Sequence, residues 1–261
     1  MITPTKQSAH TENPRLAVVV PVHNEADNVV PLIGEIAAAL TGVCDFEIIY
    51  IDDGSSDNTL DTLLTAATVT PQLRVLHHRL CCGQSTSIVS GVEAARASVI
   101  ATLDGDGQND PADLPALYAA FNQSPENDRL MITGHRQKRR DTWIKRISSK
   151  IANRIRASLL GDNTPDTGCG LKVFGRAAFL DLPRFDHMHR FLPALMIRSK
   201  GQVESIPVNH RPRQRGTSKY GTLDRLWVGI FDLIGVMWLQ RRARHPVVED
   251  VTPGAARGPR E

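Results

Sequence analysis

The chain has 261 residues, a formal net charge of +3, 41% hydrophobic and 23% charged content. These values are ordinary for a soluble globular protein, and the length allows one large domain or two small ones with ample core. A charge this slight gives no argument for nucleic acid as a partner. Arg136–Arg156 and Arg211–Arg244 are nevertheless rich in basic residues. Such patches suit a phosphorylated substrate or an anionic membrane surface, a solvated face being the plain alternative.

The cysteines, Cys44, Cys81, Cys82 and Cys169, show neither paired metal spacing nor a disulfide framework, so reduced thiols in a cytoplasmic setting are expected. Residues 1–15 are polar and lack a signal-peptide core; they and 245–261 are expected to be disordered tails. No uninterrupted apolar run approaches the ~20 residues that a spanning helix needs.

Strands and helices alternate through the first half. Leu16–Val22 reads as a strand, Glu25–Leu40 as a helix with apolar residues at helical spacing, and Phe46–Ile51 as a second strand. Asp57–Ala67 follows as a helix that Ser56 or Asp57 would cap. Leu73–His77 is a strand, Gln84–Arg96 a helix, and Ser98–Leu103 an apolar strand. Asp110–Asn122 is a helix with Pro111 in its first turn, and Arg129–Thr133 a further strand. This order predicts an α/β fold, a mostly parallel sheet with helices on both faces.

Strands of such a sheet bring their C-terminal ends to one edge, where ligands bind. Pro21-Val22-His23-Asn24-Glu25 ends the first strand, Asp52-Asp53-Gly54-Ser55-Ser56-Asp57 the second, and Asp104-Gly105-Asp106-Gly107-Gln108 the fourth. Two carboxylates one residue apart, followed by an amide oxygen, suit a hard divalent cation that bridges substrate phosphates; an acidic turn is the bland reading. The glycine fingerprints of dinucleotide and P-loop sites are missing.

These motifs, with Gly83-Gln84-Ser85, together resemble family 2 glycosyltransferases of the GT-A, Rossmann-like fold. Asp166-Thr167-Gly168-Cys169-Gly170-Leu171-Lys172, His189-Arg190-Phe191 and Arg213-Gln214-Arg215-Gly216-Thr217-Ser218-Lys219-Tyr220 are similar to the polyprenyl-phosphate branch, typified by dolichol-phosphate mannose synthase. The resemblance runs from about Leu16 to Arg242, and implies one GT-A domain over 16–220 followed by a separate helical segment over 221–244.

The resemblance implies that Mg2+ or Mn2+ held by Asp104, Asp106 and Gln108 bridges the diphosphate of a nucleotide-sugar donor and absorbs charge on the leaving oxygen. Opposite unit charges about 4 Å apart attract by ~4 kcal/mol at an effective dielectric near 20, and a divalent ion roughly doubles that gross figure. It further implies nucleotide-sugar binding by Pro21, His23, Glu25, Ile51, Asp53, Asp104 and Gly105, with Arg213 and Lys219 closing over the diphosphate. Glu25 at a helix start has helix capping as its plain alternative. Asp52 is read as structural, bonding the turn backbone. On the acceptor side the resemblance points to Arg136, Arg146 and Ser149 for the lipid phosphate, the last two on a predicted helix over Trp143–Leu160. The catalytic set it implies is Asp106, Asp166 and Arg136. A phosphate acceptor is largely ionised at neutral pH, so Asp166 has a base to offer only if one is needed.

Leu223–Leu239 forms a predicted helix with a narrow polar stripe of Asp224, Arg225 and Asp232, followed by Arg241, Arg242 and Arg244. About 17 residues span ~25 Å, short of the ~30 Å hydrocarbon core. An amphipathic helix lying in the membrane interface fits this pattern, against a buried helix or dimer contact. The expected protein is therefore an inverting glycosyltransferase, peripheral on the cytoplasmic membrane face. It would move a sugar from a UDP- or GDP-sugar to a polyprenyl phosphate, with room for a homo-oligomer or an integral-membrane partner. A glycan acceptor in cell-surface polysaccharide synthesis is the alternative.

Overall fold

A computed structural model describes residues 13–124, 127–136, 156–212 and 222–244. Its centre is a seven-stranded sheet in the order β3-β2-β1-β4-β6-β5-β7. The strands are β1 (Leu16–Val22), β2 (Phe46–Asp53), β3 (Leu73–His78), β4 (Val99–Thr102), β5 (Leu130–Arg136), β6 (Lys172–Gly175) and β7 (Gln202–Val208). The helices are α1 (Ala26–Leu40), α2 (Thr59–Val69), α3 (Gln84–Ala94), α4 (Leu114–Gln123), α5 (Arg176–Leu180), α6 (Leu192–Arg198) and α7 (Thr222–Arg241). Residues 156–160 are also helical.

The continuous apolar runs of the sheet follow from burial on both faces, with side chains alternating at period 2. Leu16, Val18 and Val20 of β1 pack with Val29, Leu32 and Ile36 of α1 and Leu117 of α4. Ala17 and Val19 point the other way, into a cluster with Ile88 and Val92 of α3 and Leu195 of α6. Gly91 of α3 lies so close to Val19 and Ile51 that a methyl group there would overlap both.

The first half follows its periodicity closely, with β1 bounded as read and α1, β2 and β3 shifted by a residue or two. Asp110 caps its segment by accepting from the Ala112 N–H at 3.0 Å, but Pro111–Asp113 winds as a 3-10 turn before α4 begins. Asp57 accepts from Thr59 N–H at 2.9 Å and so caps α2 in practice. The sequence reading had no strands beyond Arg129–Thr133, yet β6 and β7 complete the sheet. β6 is antiparallel to both β4 and β5, whereas β7 is parallel to β5. Of the predicted Trp143–Leu160 helix, only 156–160 falls among the described residues, and there it is helical.

Candidate active site

The ends of β1 and β2 are knitted together by short polar side chains. Asn24 takes a left-handed backbone conformation (φ 55°). From there its Oδ1 accepts from Ser56 N–H at 2.7 Å, and its own N–H donates to Ser55 Oγ at 2.8 Å. His23 Nδ1 lies 2.8 Å from the Asp53 carbonyl oxygen, and Glu25 N–H donates to Thr59 Oγ1 at 2.9 Å. Glu25 also accepts from the Asn28 amide at 2.7 Å. His23, Glu25 and Asp53 thus stand around one crevice, but each is tied into its frame.

Asp53 is the hub of that frame. Its carboxylate accepts the N–H groups of Cys82 and Gly83, both at 2.8 Å, and meets His78 Nδ1 at 2.8 Å. Burial alone would raise its pKa, but these hydrogen bonds, with that of the Cys81 thiol, hold the carboxyl below its ordinary value. Asp52, read as a backbone anchor, instead pairs with His77 Nδ1 at 2.8 Å. Ile51 is fully buried among the apolar side chains beneath α3, which removes its side chain from the crevice. The family resemblance implies a place for it at the nucleotide. Both faces of β2 are covered, so either direction of the side chain leads into the core until the strand ends at Asp53.

The acidic turn after β4 is shaped by close packing. Gly105 lies against Val22 and the Pro21 carbonyl of β1, where any side chain would collide. Gly170 lies against the Asp104 carboxylate in the same way. Asn109, buried at 2% exposure, accepts the Asp104 N–H through Oδ1 at 3.0 Å, while Gln84 Nε2 donates to Asp104 Oδ1 at 2.9 Å. Burial, then the charge of Asp106, push the Asp104 carboxyl up to about 6, against the pull of Lys172, Arg136 and Gln84.

The second half delivers two cations here. Arg136, at the end of β5, grips Asp166 in a bidentate pair, Nε to Oδ2 at 2.6 Å and Nη2 to Oδ1 at 2.7 Å. Lys172 opens β6, is 3% exposed, and its Nζ donates to the Cys169 carbonyl. Burial depresses its pKa, while the nearby Asp104 and Asp166 charges work against that. Asp104, Asp106 and Asp166 therefore gather with one buried cation, Lys172, and one half-buried cation, Arg136. Asp166 is engaged as the clamp of Arg136, a partner the motif did not suggest. Lys172 was missed as a site residue. A charge inside the apolar run Leu171–Phe174 is the signal that finds it.

His189 is joined to α3. Its backbone N–H donates to Ser85 Oγ at 3.2 Å, and the same oxygen lies 2.8 Å from Nδ1. A hydrogen bond thus joins the hydroxyl to the His189 imidazole. Burial, with Arg190 and Lys172 nearby, pushes its pKa down to about 3. After β7 the chain returns to the acidic turn, where Arg211 N–H donates to the Gln108 carbonyl at 2.9 Å. Arg211 also bonds Glu35 at 2.6 Å and Asp110 at 2.5 Å. Arg146, Ser149, Arg213 and Lys219 lie outside the described residues.

The profile of "Glycosyl transferase family 2" matches residues 17–182, which takes in the acidic turn, Arg136, Asp166 and Lys172. The chain belongs to this family. Among curated relatives, the dodecaprenyl-phosphate galacturonate synthase of Rhizobium johnstonii is 33% identical over 236 residues, covering 88% of this chain and 69% of that one. The undecaprenyl-phosphate 4-deoxy-4-formamido-L-arabinose transferase of an Enterobacter species is 33% identical over 224 residues, covering 84% and 66%. The chain thus spans about two thirds of the length of these relatives. Among solved structures, glucosyl-3-phosphoglycerate synthase of Mycobacterium tuberculosis with bound phosphoglyceric acid has a TM-score of 0.66 at 14% identity, covering 94% of this chain and 87% of that chain. At that identity the likeness carries the fold alone, a GT-A-like α/β sheet.

In this family 2 glycosyltransferase, the residues of the acidic turn fit a hard divalent cation. Asp104 and Asp106 are like-charged neighbours in a partly buried turn, and burial and the Asp106 charge raise the Asp104 pKa, a burden that a bound cation would relieve.

Proposed function

We propose that this glycosyltransferase moves a sugar from a nucleotide-diphosphate donor to a polyprenyl phosphate, with inversion, on the cytoplasmic face of the membrane. The observation that carries the reading is the meeting of Asp104 and Asp106 with the Arg136–Asp166 pair and Lys172 at one sheet edge. It draws further support from relatives whose names specify dodecaprenyl- and undecaprenyl-phosphate transfer.

The donor's base and ribose would lie over the β1 and β2 ends, beside Pro21, His23, Glu25 and Asp53, with the diphosphate at Asp104 and Gly105. Crystal structures of the M. tuberculosis synthase contain Mg2+ or Mn2+ with UDP. Here Asp104, Asp106 and Gln108 would hold such an ion, whose chemistry is to offset charge on the departing diphosphate. Arg213 and Lys219 would add the remaining cover.

Arg136 binds the acceptor phosphate in this reading, together with Arg146 and Ser149. Asp166 fixes the plane of that guanidinium and so aims its remaining donors. The acceptor's second pKa is near 6, so the attacking oxygen is largely ionised at neutral pH and no base is required. Asp166 is accordingly a positioning residue, and the low pKa of His189 removes it as a proton carrier.

Exposed apolar residues support contact with the membrane. α7 docks through Leu233, Val236 and Met237, and Asp232 faces inward to His187 Nδ1 at 3.1 Å. Ile230, Phe231, Ile234 and Trp238 form the opposite face, with Phe231 68% and Trp238 58% exposed. The polar residue is turned in and the apolar ones out, as a lipid-facing helix requires. No described helix is long and apolar enough to cross a membrane.

The test is transfer of labelled sugar from a panel of UDP- and GDP-sugars into undecaprenyl phosphate, with Mn2+ or EDTA. We expect a metal-dependent lipid product, reduced at least ~100-fold in Asp106→Ala. Donor binding without lipid product would move the acceptor to another class.

A further inference from the structure

Asp53 and His78 are register partners on the parallel strands β2 and β3, and Cys82 follows on the loop to α3. Their carboxylate oxygen, imidazole nitrogen and thiol sulfur come within 4.8 Å of one another. The set is held in place: Asp53 Oδ1 accepts the Cys82 N–H at 2.8 Å, so the carboxylate also anchors the backbone that carries the thiol. Cys82 is exposed, which leaves a path of entry.

We propose that Asp53, His78 and Cys82 form a binding site for a borderline-soft divalent cation of the Zn2+ class, distinct from the hard-ion site at Asp104 and Asp106. Oxygen, imidazole nitrogen and thiolate sulfur together select zinc over magnesium or manganese. Three protein ligands leave the fourth tetrahedral position open to water. His78 already has the outer partner that such a ligand needs. Its Nδ1 meets Asp53 Oδ1 at 2.8 Å and its Nε2 meets Ser90 Oγ at 3.0 Å. A cation on Nδ1 replaces the proton shared with Asp53, and Nε2–H then donates to Ser90. The Cys82 thiol proton is released to solvent as the thiolate binds. Cys81 Sγ lies 3.3 Å from the other carboxylate oxygen, Asp53 Oδ2, and is no member of the set. Because Asp53 borders the crevice assigned to the nucleotide, occupancy would also oppose donor binding. That consequence rests on the proposed function, whereas the site itself does not.

The experiment is a Co2+ titration of the full chain, stripped of metal and kept reduced, read by absorption without any donor. We expect tetrahedral ligand-field bands with a sulfur-to-cobalt charge-transfer band, displaced by Zn2+. Cys82→Ser and His78→Gln should each weaken binding at least roughly tenfold and abolish or shift the bands. Asp106→Ala and Cys81→Ser should retain them. Absence of a thiolate band in the wild type, its survival in Cys82→Ser, or its loss in Asp106→Ala would each overturn the assignment.

Discussion

Asp104 shows how a single carboxyl reports on its surroundings. Its pKa of about 6 lies above the model-peptide value of 3.8 because burial and Asp106 both oppose its charge. The folded state therefore favours the proton. The stabilisation that proton confers is complete below 3.8 and is lost as pH rises through about 6. A divalent cation held as proposed would reverse the preference by taking the proton's place. Mn2+ affinity, measured by calorimetry between pH 5 and 8, should accordingly be level above about 6.5 and fall by up to tenfold per pH unit below about 5.5. A flat profile would remove Asp104 from the ligand set. Gly170 offers a second test at the same scale. Gly170→Ala places a methyl group on the Asp104 carboxylate. Overpacking of this kind costs about 1–3 kcal/mol, so the variant should still fold. Its Mn2+ affinity and turnover should drop at least ~10-fold through the displaced carboxylate.

Among the elements, α7 departs most from the usual amphipathic plan. Its inner face is fixed by apolar packing and by hydrogen bonds at its end. Arg198 Nε donates to the Leu239 carbonyl at 2.9 Å, and Gln240 Nε2 donates to the Leu160 carbonyl at 2.8 Å. Its outer face shows Phe231 and Trp238, with the Arg242 guanidinium 5.9 Å from the Trp238 ring centre. Phe231→Glu with Trp238→Glu should leave the thermal midpoint within a few degrees of wild type. Binding to vesicles of anionic lipid, measured by sedimentation, should fall at least ~10-fold. A large loss of thermal stability with unchanged vesicle binding would instead make this face a protein contact. The β6 strand is unusual in another way. It runs antiparallel between β4 and β5, and this brings Lys172 beside Thr102 just below the acidic turn.

At the scale of the whole molecule, one buried carboxylate joins three segments at the end of the sheet opposite the crevice. Glu47, 1% exposed in β2, accepts from Arg74 at 2.7 Å, Arg96 N–H at 2.7 Å and Ala97 N–H at 3.2 Å. It thereby ties β2 to the start of β3 and to the segment entering β4. Burial would raise its pKa, but Arg74 and the Arg96 and Ala97 N–H groups hold it below 4.5. The stabilisation is therefore present above 4.5 and lost as pH falls through the lower folded value. Glu47→Gln should cost about 3 kcal/mol by urea denaturation at pH 7, with a smaller difference from wild type near pH 3. Equal losses at both pH values would mean that charge is not what matters there.

Much of this architecture was legible along the chain because its causes are local. The apolar runs Leu16–Val22 and Phe46–Ile51 could only be strands buried on both faces, and the acidic turn had to leave such a strand at its ligand-binding end. The family motifs added their order. What the chain could not state was pairing between distant residues. Arg136 meets Asp166 across a separation of 30, and Ser85 meets His189 across 104. β6 is short and carries Lys172, and β7 is largely exposed with Gln202, Glu204 and Ser205 along it, so the apolar signal of both is weak. Ile51 and Asp53 lie on the same face of β2, yet the first is covered by the apolar cluster beneath α3 while the second, at the end of the strand, stands at the crevice. Composition set which groups this protein possesses. Only the fold decided which charges stand together, because that depends on strand order, which brings together residues far apart in the sequence.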